Sequence, residues 1–261
     1  MKVIAVANQK GGCAKTTTVG NIGVCLAERG YKTLLIDLDP QGNLTTSLGI
    51  EKSKLKTTMY EVMISDGDEK TFQNAIIQTT WKNLWLAPST LNLASAEVEL
   101  VNHIGREAIL LHALHCIEHP VQYDVVIVDT PPSLGIFTLN ALVAATHVLI
   151  PVQAEFFALE GMAQLLNTIN LVRRRLNHDL EILGMVVTMY DSRTKSSKEI
   201  LEDVKKHFQK ETFKAVVRRN VTVTDATMVG EPVVIYKKDS QAAQDYEALT
   251  GEIVERLGLK K

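Results

Sequence analysis

Short apolar runs alternate along the chain with longer segments in which apolar residues recur every three or four positions. The runs predict buried strands and the periodic segments predict helices. The predicted strands are 3–7, 33–38, 84–87, 125–128, 148–152 and 182–187. A first helix is expected from about Thr16 to Arg29, with Gly30 at its C-terminus. This alternation is typical of an α/β fold with a mainly parallel, twisted sheet and helices on both faces.

No repeat, linker or low-complexity segment interrupts this alternation, so we predict one domain over residues 1–261, without a separate N-terminal helix-turn-helix domain. Binding loops should cluster at the C-terminal ends of the parallel strands. The most apolar long stretch, 125–152, contains Asp129 and the Pro131-Pro132 pair. These residues divide it into short elements, so we expect no membrane span.

Composition narrows the class of protein. Hydrophobic residues make up 46% and charged residues 22%, as in an ordinary globular protein. The formal net charge is -2, so contact with nucleic acid would need a local basic patch. Cys13, Cys25 and Cys116 form no CxxC pair, and no signal peptide precedes the first strand. We therefore expect a reduced, cytoplasmic protein without a cysteine-built metal site.

The loop after the first predicted strand, NQKGGCAKTT at 8–17, has the context of a phosphate-binding loop. Backbone N–H groups of such a turn and of the following helix point at anionic oxygens. Lys15 can reach β- and γ-phosphates, and the Thr16 hydroxyl can ligate Mg²⁺. The pattern GxxxxGK[ST] is not met, because Gln9 and Ala14 occupy its glycine positions. Taken alone, the loop could still be a chance Gly-Gly turn before a helix.

Two aspartates extend the pattern. Asp39 lies in the segment DLDPQGN at 37–43, and Asp129 ends an apolar run and precedes two prolines. An apolar strand that delivers one aspartate is the usual second Mg²⁺ anchor of a phosphate-loop ATPase. In isolation, an aspartate at the end of a strand is also common in ordinary turns.

Five ordered motifs resemble the ParA/MinD family of deviant Walker A P-loop ATPases, specifically its ParA/Soj branch. They are KGGxxKTT at 10–17, DLDPQGN at 37–43, VDTPPSLG at 128–135, PVQAEFFALEG at 151–161 and MYDSRT at 189–194. The resemblance runs essentially from end to end. It implies a P-loop NTPase fold, ATP and Mg²⁺ as ligands, and slow ATP hydrolysis that a partner stimulates.

The resemblance also implies roles for individual residues. Lys10 matches the signature lysine that reaches the other subunit's nucleotide, and Asp39 matches the carboxylate that orients the attacking water; with Lys15, these are the candidate catalytic residues. Thr16 and, through water, Asp129 would hold Mg²⁺. The candidate nucleotide-binding residues are Lys10, Gly11, Gly12, Cys13, Ala14, Lys15, Thr16, Thr17, Arg218 and Asn220.

Two regions depart from the family pattern. Ala14 stands where relatives usually have glycine, and its methyl group either fits or costs ~1 kcal/mol if the backbone requires a positive φ. Near the C-terminus, Arg218 and Thr227 replace prolines, and Thr222 replaces an arginine that contacts DNA in relatives. Arg218 is therefore a candidate to supply the missing charge.

The family implies an ATP-dependent homodimer, non-specific binding to double-stranded DNA on the nucleoid, and a ParB-type centromere-binding partner. Residues 191–219 carry nine basic and five acidic side chains, a net charge of +4, which suits phosphate contacts but also a solvated mixed-charge helix. The candidate DNA-binding residues are Arg193, Lys195, Lys198, Arg218 and Arg219.

Other classes of ATPase fit less well. A MinD-like, membrane-cycling protein would need a basic amphipathic C-terminal helix, whereas Glu247, Glu252 and Glu255 here would repel anionic lipid. We expect that helix to dock on the sheet and expect no membrane partner. A small-molecule kinase or ligase would have no need of Lys10. A non-catalytic DNA-packaging protein would have no need of Asp39, Asp129 and Lys15 together.

Overall fold

The computed structural model describes residues 1–116, 121–155 and 158–260. Within them, eight strands form one sheet in the order β3-β4-β2-β5-β1-β6-β7-β8. The strands are β1 (Lys2–Val6), β2 (Thr33–Asp37), β3 (Ile77–Gln78), β4 (Leu84–Ala87), β5 (Val125–Asp129), β6 (His147–Gln153), β7 (Glu181–Tyr190) and β8 (Thr212–Arg218). Neighbouring strands are parallel, except for the antiparallel pair β3–β4.

Twelve α-helices connect or flank these strands in the part of the chain that the structure describes. They are α1 (Lys15–Glu28), α2 (Asn43–Ser47), α3 (Met59–Ile64), α4 (Glu69–Ala75), α5 (Leu93–Glu99), α6 (Ile109–Cys116), α7 (Ile136–Ala144), α8 (Ala158–Arg175), α9 (Lys195–His207), α10 (Val221–Met228), α11 (Val233–Tyr236) and α12 (Gln241–Leu257). Among the described residues, no helix combines the length and apolarity that crossing a bilayer requires.

Helices cover both faces of the sheet because the central strands are apolar on both sides. On β1, Ala5 points into a core that α3 to α9 complete, whereas Ile4 and Val6 point into a second core with α1, α2 and α10 to α12. Tyr246 and Ile253 of α12 are buried in this second core. The predicted α/β fold is confirmed, and the C-terminal helix docks on the sheet as expected.

The six predicted strands are present, with ends that differ by up to three residues. The sequence did not reveal β3 or β8. β3 has only two residues, and β8 is a half-exposed edge strand whose apolar run is interrupted by Lys214. Phe156 and Phe157, within the motif at 151–161, lie outside the described residues.

Candidate active site

The candidate site lies where the C-terminal ends of three central strands meet. β1 and β2 both pair in parallel with β5, and Val6 and Asp37 are each in register with Asp129. The loop at 8–14 leaves β1 at this edge and leads into α1. Residues from three distant parts of the sequence therefore meet at one edge of the sheet, as parallel strand order requires.

The loop before α1 has the backbone conformation of an anion-binding turn. Gly12 and Ala14 both have positive φ, 73° and 66°, and Ala14 is the N-cap of α1 without a side-chain cap. The first N–H groups of α1 thus keep their capacity to bind an anion. The sequence left open whether the backbone at position 14 requires a positive φ. It does, so Ala14 occupies a backbone position that favours glycine.

Lys15 is buried and directed into this loop. Its Nζ lies 3.3 Å from the carbonyl oxygen of Lys10 and 4.0 Å from Sγ of Cys13. The Thr188 hydroxyl on β7 donates to the carbonyl oxygen of Cys13 at 3.0 Å and so ties the loop to the sheet. Burial raises the pKa of the Cys13 thiol, which keeps it protonated as a small neutral side chain.

Three aspartates at or just after the ends of β2 and β5 have different sets of partners. Asp37 is fully buried, and its Oδ2 accepts from the backbone N–H and the hydroxyl of Thr45 at 2.8 and 2.7 Å. Burial nevertheless raises its pKa to about 6. Asp39 is also buried, and its Oδ1 accepts from the backbone N–H of Gln41 at 2.9 Å. The loop after β2 is thus held by its own carboxylates.

Asp129 is the exception among the three. Both of its carboxylate oxygens are buried, and neither makes a hydrogen bond with the described residues. Burial and the charge of Asp37 raise the pKa of Asp129 well above its usual range, although the nearby Thr16 hydroxyl and Lys15 favour the charged form. A buried carboxylate without partners is costly unless a cation or its water ligands complete it. The residues present therefore fit Mg²⁺, which Asp129 and Thr16 would hold.

Two adjoining cavities give the site its shape. One, of about 430 Å³, is lined by residues of the phosphate-type loop, including Gly12, Lys15 and Thr16, and by Asp39. The other, of about 490 Å³, contains Arg219 and Asn220. The two cavities share the lining residues Ala14, Thr17, Met189 and Val223. A nucleotide could thus place its phosphates in the first cavity and its base in the second.

Lys10 lines neither cavity. Its Nζ pairs with Oε2 of Glu155 at 2.7 Å, and about a third of its side chain is exposed. This position leaves the lysine outside the phosphate cavity of its own chain, where a second subunit could approach it.

Asn220 and Arg218 line the second cavity but already have protein partners. Asn220 is the N-cap of α10, and its Oδ1 accepts from the backbone N–H of Thr222 at 2.9 Å. Arg218 is paired with the buried Asp245, since Nη1 and Oδ1 lie 2.9 Å apart. Much of the charge of Arg218 is therefore neutralised within the chain.

The five candidate DNA-binding residues lie near the C-terminal ends of β7 and β8, close to this site. Arg193 pairs with Asp191, and Lys195 pairs with Glu199 at 3.4 Å. With Arg218 also paired, Lys198 and Arg219 are the two candidates without an ion pair among the described residues. The structure thus brings the five together but concentrates the uncompensated charge on two.

Comparison with known proteins agrees with this geometry. The profile of a family described as an AAA domain matches residues 1–182. Sporulation initiation inhibitor protein Soj of Bacillus subtilis (strain 168) is 46% identical over 97% of this chain and 98% of its own length. Chromosome partitioning protein ParA of Myxococcus xanthus (strain DK1622) is 42% identical over 98% of this chain and 88% of its own.

A solved structure from Mycobacterium smegmatis is similar over almost the same length. It is called cobyrinic acid a,c-diamide synthase, contains bound ADP and magnesium, and is 38% identical with a TM-score of 0.84. The alignment covers 99% of this chain and 96% of that one. Because the identities of the Soj and ParA relatives extend over nearly the whole chain, the chain belongs to the ParA/Soj family of P-loop ATPases.

Proposed function

We propose that this chain is a partition ATPase that binds and hydrolyses Mg-ATP in the two adjoining cavities and works with DNA and a ParB-type partner. The observation that carries the proposal is the Asp129 carboxylate, which is buried beside Thr16 and Lys15 and has no hydrogen-bond partner in the part of the chain that the structure describes. Such a group is expected where a protein holds a metal–phosphate complex and is costly elsewhere.

Different residues around the cavities have different roles in ATP hydrolysis. Lys15 and the N–H groups at the start of α1 bind the phosphates, and Thr16 and Asp129 hold Mg²⁺, which neutralises phosphate charge. Asp39, at the wall of the same cavity, orients the attacking water. Lys10 adds its positive charge to the nucleotide of a second subunit, which makes efficient turnover depend on dimerisation.

The dimer links the nucleotide to DNA. ATP, but not ADP, is proposed to join two copies in a two-fold sandwich with both nucleotides at the interface. Each copy contributes a small basic surface that includes Lys198 and Arg219. Two such surfaces on one face roughly double the number of phosphate contacts, so the ATP state would be the form that binds the nucleoid.

Nucleotide binding tests the site directly. Lys15→Ala should abolish ATP binding measured by calorimetry, whereas Lys70→Ala, an exposed lysine on α4, should bind like the wild type. Unchanged ATP affinity in Lys15→Ala would exclude this loop as the phosphate site. ATP turnover should then rise when duplex DNA and a basic peptide of the ParB type are added together.

A second candidate function comes from the Mycobacterium smegmatis structure, because its name denotes an amide-forming synthase of cobyrinic acid. A synthase of that kind would consume ATP only when cobyrinic acid and an amide donor are present, and it would ignore DNA. ATP turnover measured with each set of additions separates the two functions. Stimulation by DNA and the peptide, without cobyrinic acid, favours the partition ATPase.

A further inference from the structure

We infer that Asp245, acting through Arg218, is a positioning residue for the segment that binds the nucleotide base. This inference rests on the proposed nucleotide site and adds a residue outside its motifs. Asp245 lies on α12, distant in sequence from the phosphate-type loop, and its side chain is only 6% exposed.

Three donors use the carboxylate of Asp245. The backbone N–H of Arg218 donates to Oδ2 at 2.9 Å, and Nη1 of the same arginine donates to Oδ1 at 2.9 Å. Nε2 of Gln241 also donates to Oδ1, at 3.1 Å. Because one carboxylate holds both the main chain and the side chain of Arg218, the end of β8 has little freedom to move relative to α12.

The edge position of β8 explains why it needs such partners. β8 is the last strand of the sheet, so one side of its backbone has no neighbouring strand among the described residues. Two carboxylates of α12 accept from it instead. Glu252 accepts from the N–H groups of Lys214 and Ala215 at 2.9 and 2.6 Å, and Asp245 accepts from that of Arg218. The two acids are seven residues apart and therefore on the same face of α12.

Of these two carboxylates on α12, only Asp245 lies next to the candidate site. Arg219 and Asn220, which follow Arg218 directly, line the second cavity, as does Tyr246, the neighbour of Asp245. Lys214 and Ala215 do not line it. Asp245 thus fixes the wall of the proposed base cavity, whereas Glu252 fixes the same strand away from it. This difference gives the experiment a matched control.

The experiment compares Asp245→Ala with Glu252→Ala by steady-state ATPase kinetics and thermal unfolding. Both variants should be less stable than the wild type, because Asp245→Ala frees one backbone N–H group of β8 and Glu252→Ala frees two. Asp245→Ala should raise the KM for ATP about tenfold, the effect of losing one hydrogen bond between the displaced segment and the base, with kcat within about twofold. Glu252→Ala should keep the wild-type KM.

Two further measurements separate positioning from general damage. Calorimetry with inorganic triphosphate, which has no base, should give wild-type affinity for Asp245→Ala. Asp245→Asn keeps one oxygen for the Arg218 N–H and should have a KM between those of the wild type and Asp245→Ala. If the alanine variant does not fold, the KM of Asp245→Asn is compared with that of Glu252→Ala instead.

An unchanged KM in Asp245→Ala, or an equal rise in Glu252→Ala, would overturn the positioning role. An equal loss of triphosphate affinity would overturn it too, because the damage would then extend beyond the base cavity. If the wild type itself bound no ATP, the proposed nucleotide site would fail and not merely the role of Asp245.

Discussion

Replacing Asp129 with asparagine should stabilise the nucleotide-free protein and abolish its response to magnesium. The substitution keeps the shape of the side chain and removes its charge. Both carboxylate oxygens of Asp129 lack hydrogen-bond partners among the described residues, so the substitution loses only the favourable influence of the Thr16 hydroxyl and of Lys15 on the charge. The new amide can donate to the neighbouring aspartates, whereas the carboxylate was repelled by them.

The pKa of Asp37 allows an estimate of the free energy that Asp129→Asn gains. This pKa rises from 3.8 to about 6, a shift of about 2 units, or about 3 kcal/mol at neutral pH. Asp129 is equally buried, but the replacing amide also needs partners, so we expect a net gain of about 1–3 kcal/mol. For a domain of this size that corresponds to a rise in Tm of about 2–10 °C.

The pH dependence follows from the direction of the shift. A carboxyl with a raised pKa binds its proton more tightly in the folded state, so the folded protein loses stability as the pH rises above the unfolded value of 3.8. Asparagine does not titrate. The stability gain of Asp129→Asn should therefore be small near pH 5 and larger near pH 8.

The assay is thermal unfolding at several pH values, without nucleotide, with ADP alone and with ADP plus magnesium. A ligand that binds the folded state raises Tm, so magnesium should add to the effect of ADP in the wild type but not in Asp129→Asn. Asp37→Asn is the comparison variant, because it removes the same charge from a carboxylate whose Oδ2 already accepts two hydrogen bonds from Thr45, so its stability gain should be smaller than that of Asp129→Asn.

A variant that is less stable than the wild type at pH 8, or that still responds to magnesium, would refute the reasoning. The first result would mean that Asp129 has stabilising partners in solution. The second would place the metal elsewhere in the site.

Three other predictions concern dimerisation, ATP hydrolysis and DNA binding. Lys10→Ala should bind ATP but remain monomeric in light scattering; a stable ATP dimer of this variant would contradict the cross-subunit role. Asp39→Ala should bind ATP and dimerise but not turn over, and wild-type phosphate release would assign the attacking water to another residue. Arg219→Ala should weaken DNA binding of the ATP state and reduce the slope of its salt dependence by about 0.9 for each copy in the dimer, or about 1.8 in all. Arg174→Ala removes the same charge at the C-terminus of α8, at the opposite end of β7, and should leave DNA affinity unchanged; an equal loss would indicate a general charge effect.

The sequence predicted the central sheet because its strands are buried on both faces and therefore appear as uninterrupted apolar runs. β8 escaped prediction for the opposite reason. Its burial alternates irregularly, and the groups that complete its free edge, Asp245 and Glu252, are distant in sequence. A local pattern cannot show a strand whose partners lie on a helix some 30 residues later.

The same limit applies to the candidate site. The motifs identified Lys15, Asp39 and Asp129, because chemistry at strand ends depends on a few residue types at fixed positions. They could not show that, within residues 1–116, 121–155 and 158–260, Asp129 has no hydrogen-bond partner while Asp37 has several. Nor could they show that Asp245 neutralises Arg218, a residue that the sequence made a candidate for DNA binding.

Three features of this site that cost stability lie at the same edge of the sheet, and their position indicates how a bound nucleotide would stabilise the surrounding loops. Ala14 has a left-handed backbone, and Asp37 and Asp129 are buried carboxylates with raised pKa values. All three lie at the C-terminal edge of central strands whose apolar cores on both faces hold them in place. A cation and phosphates at this edge would relieve the repulsion between the carboxylates and occupy the free N–H groups of α1. Nucleotide binding would therefore stabilise the loops after β1, β2 and β5 together, which is the coupling that a nucleotide-controlled dimer interface requires.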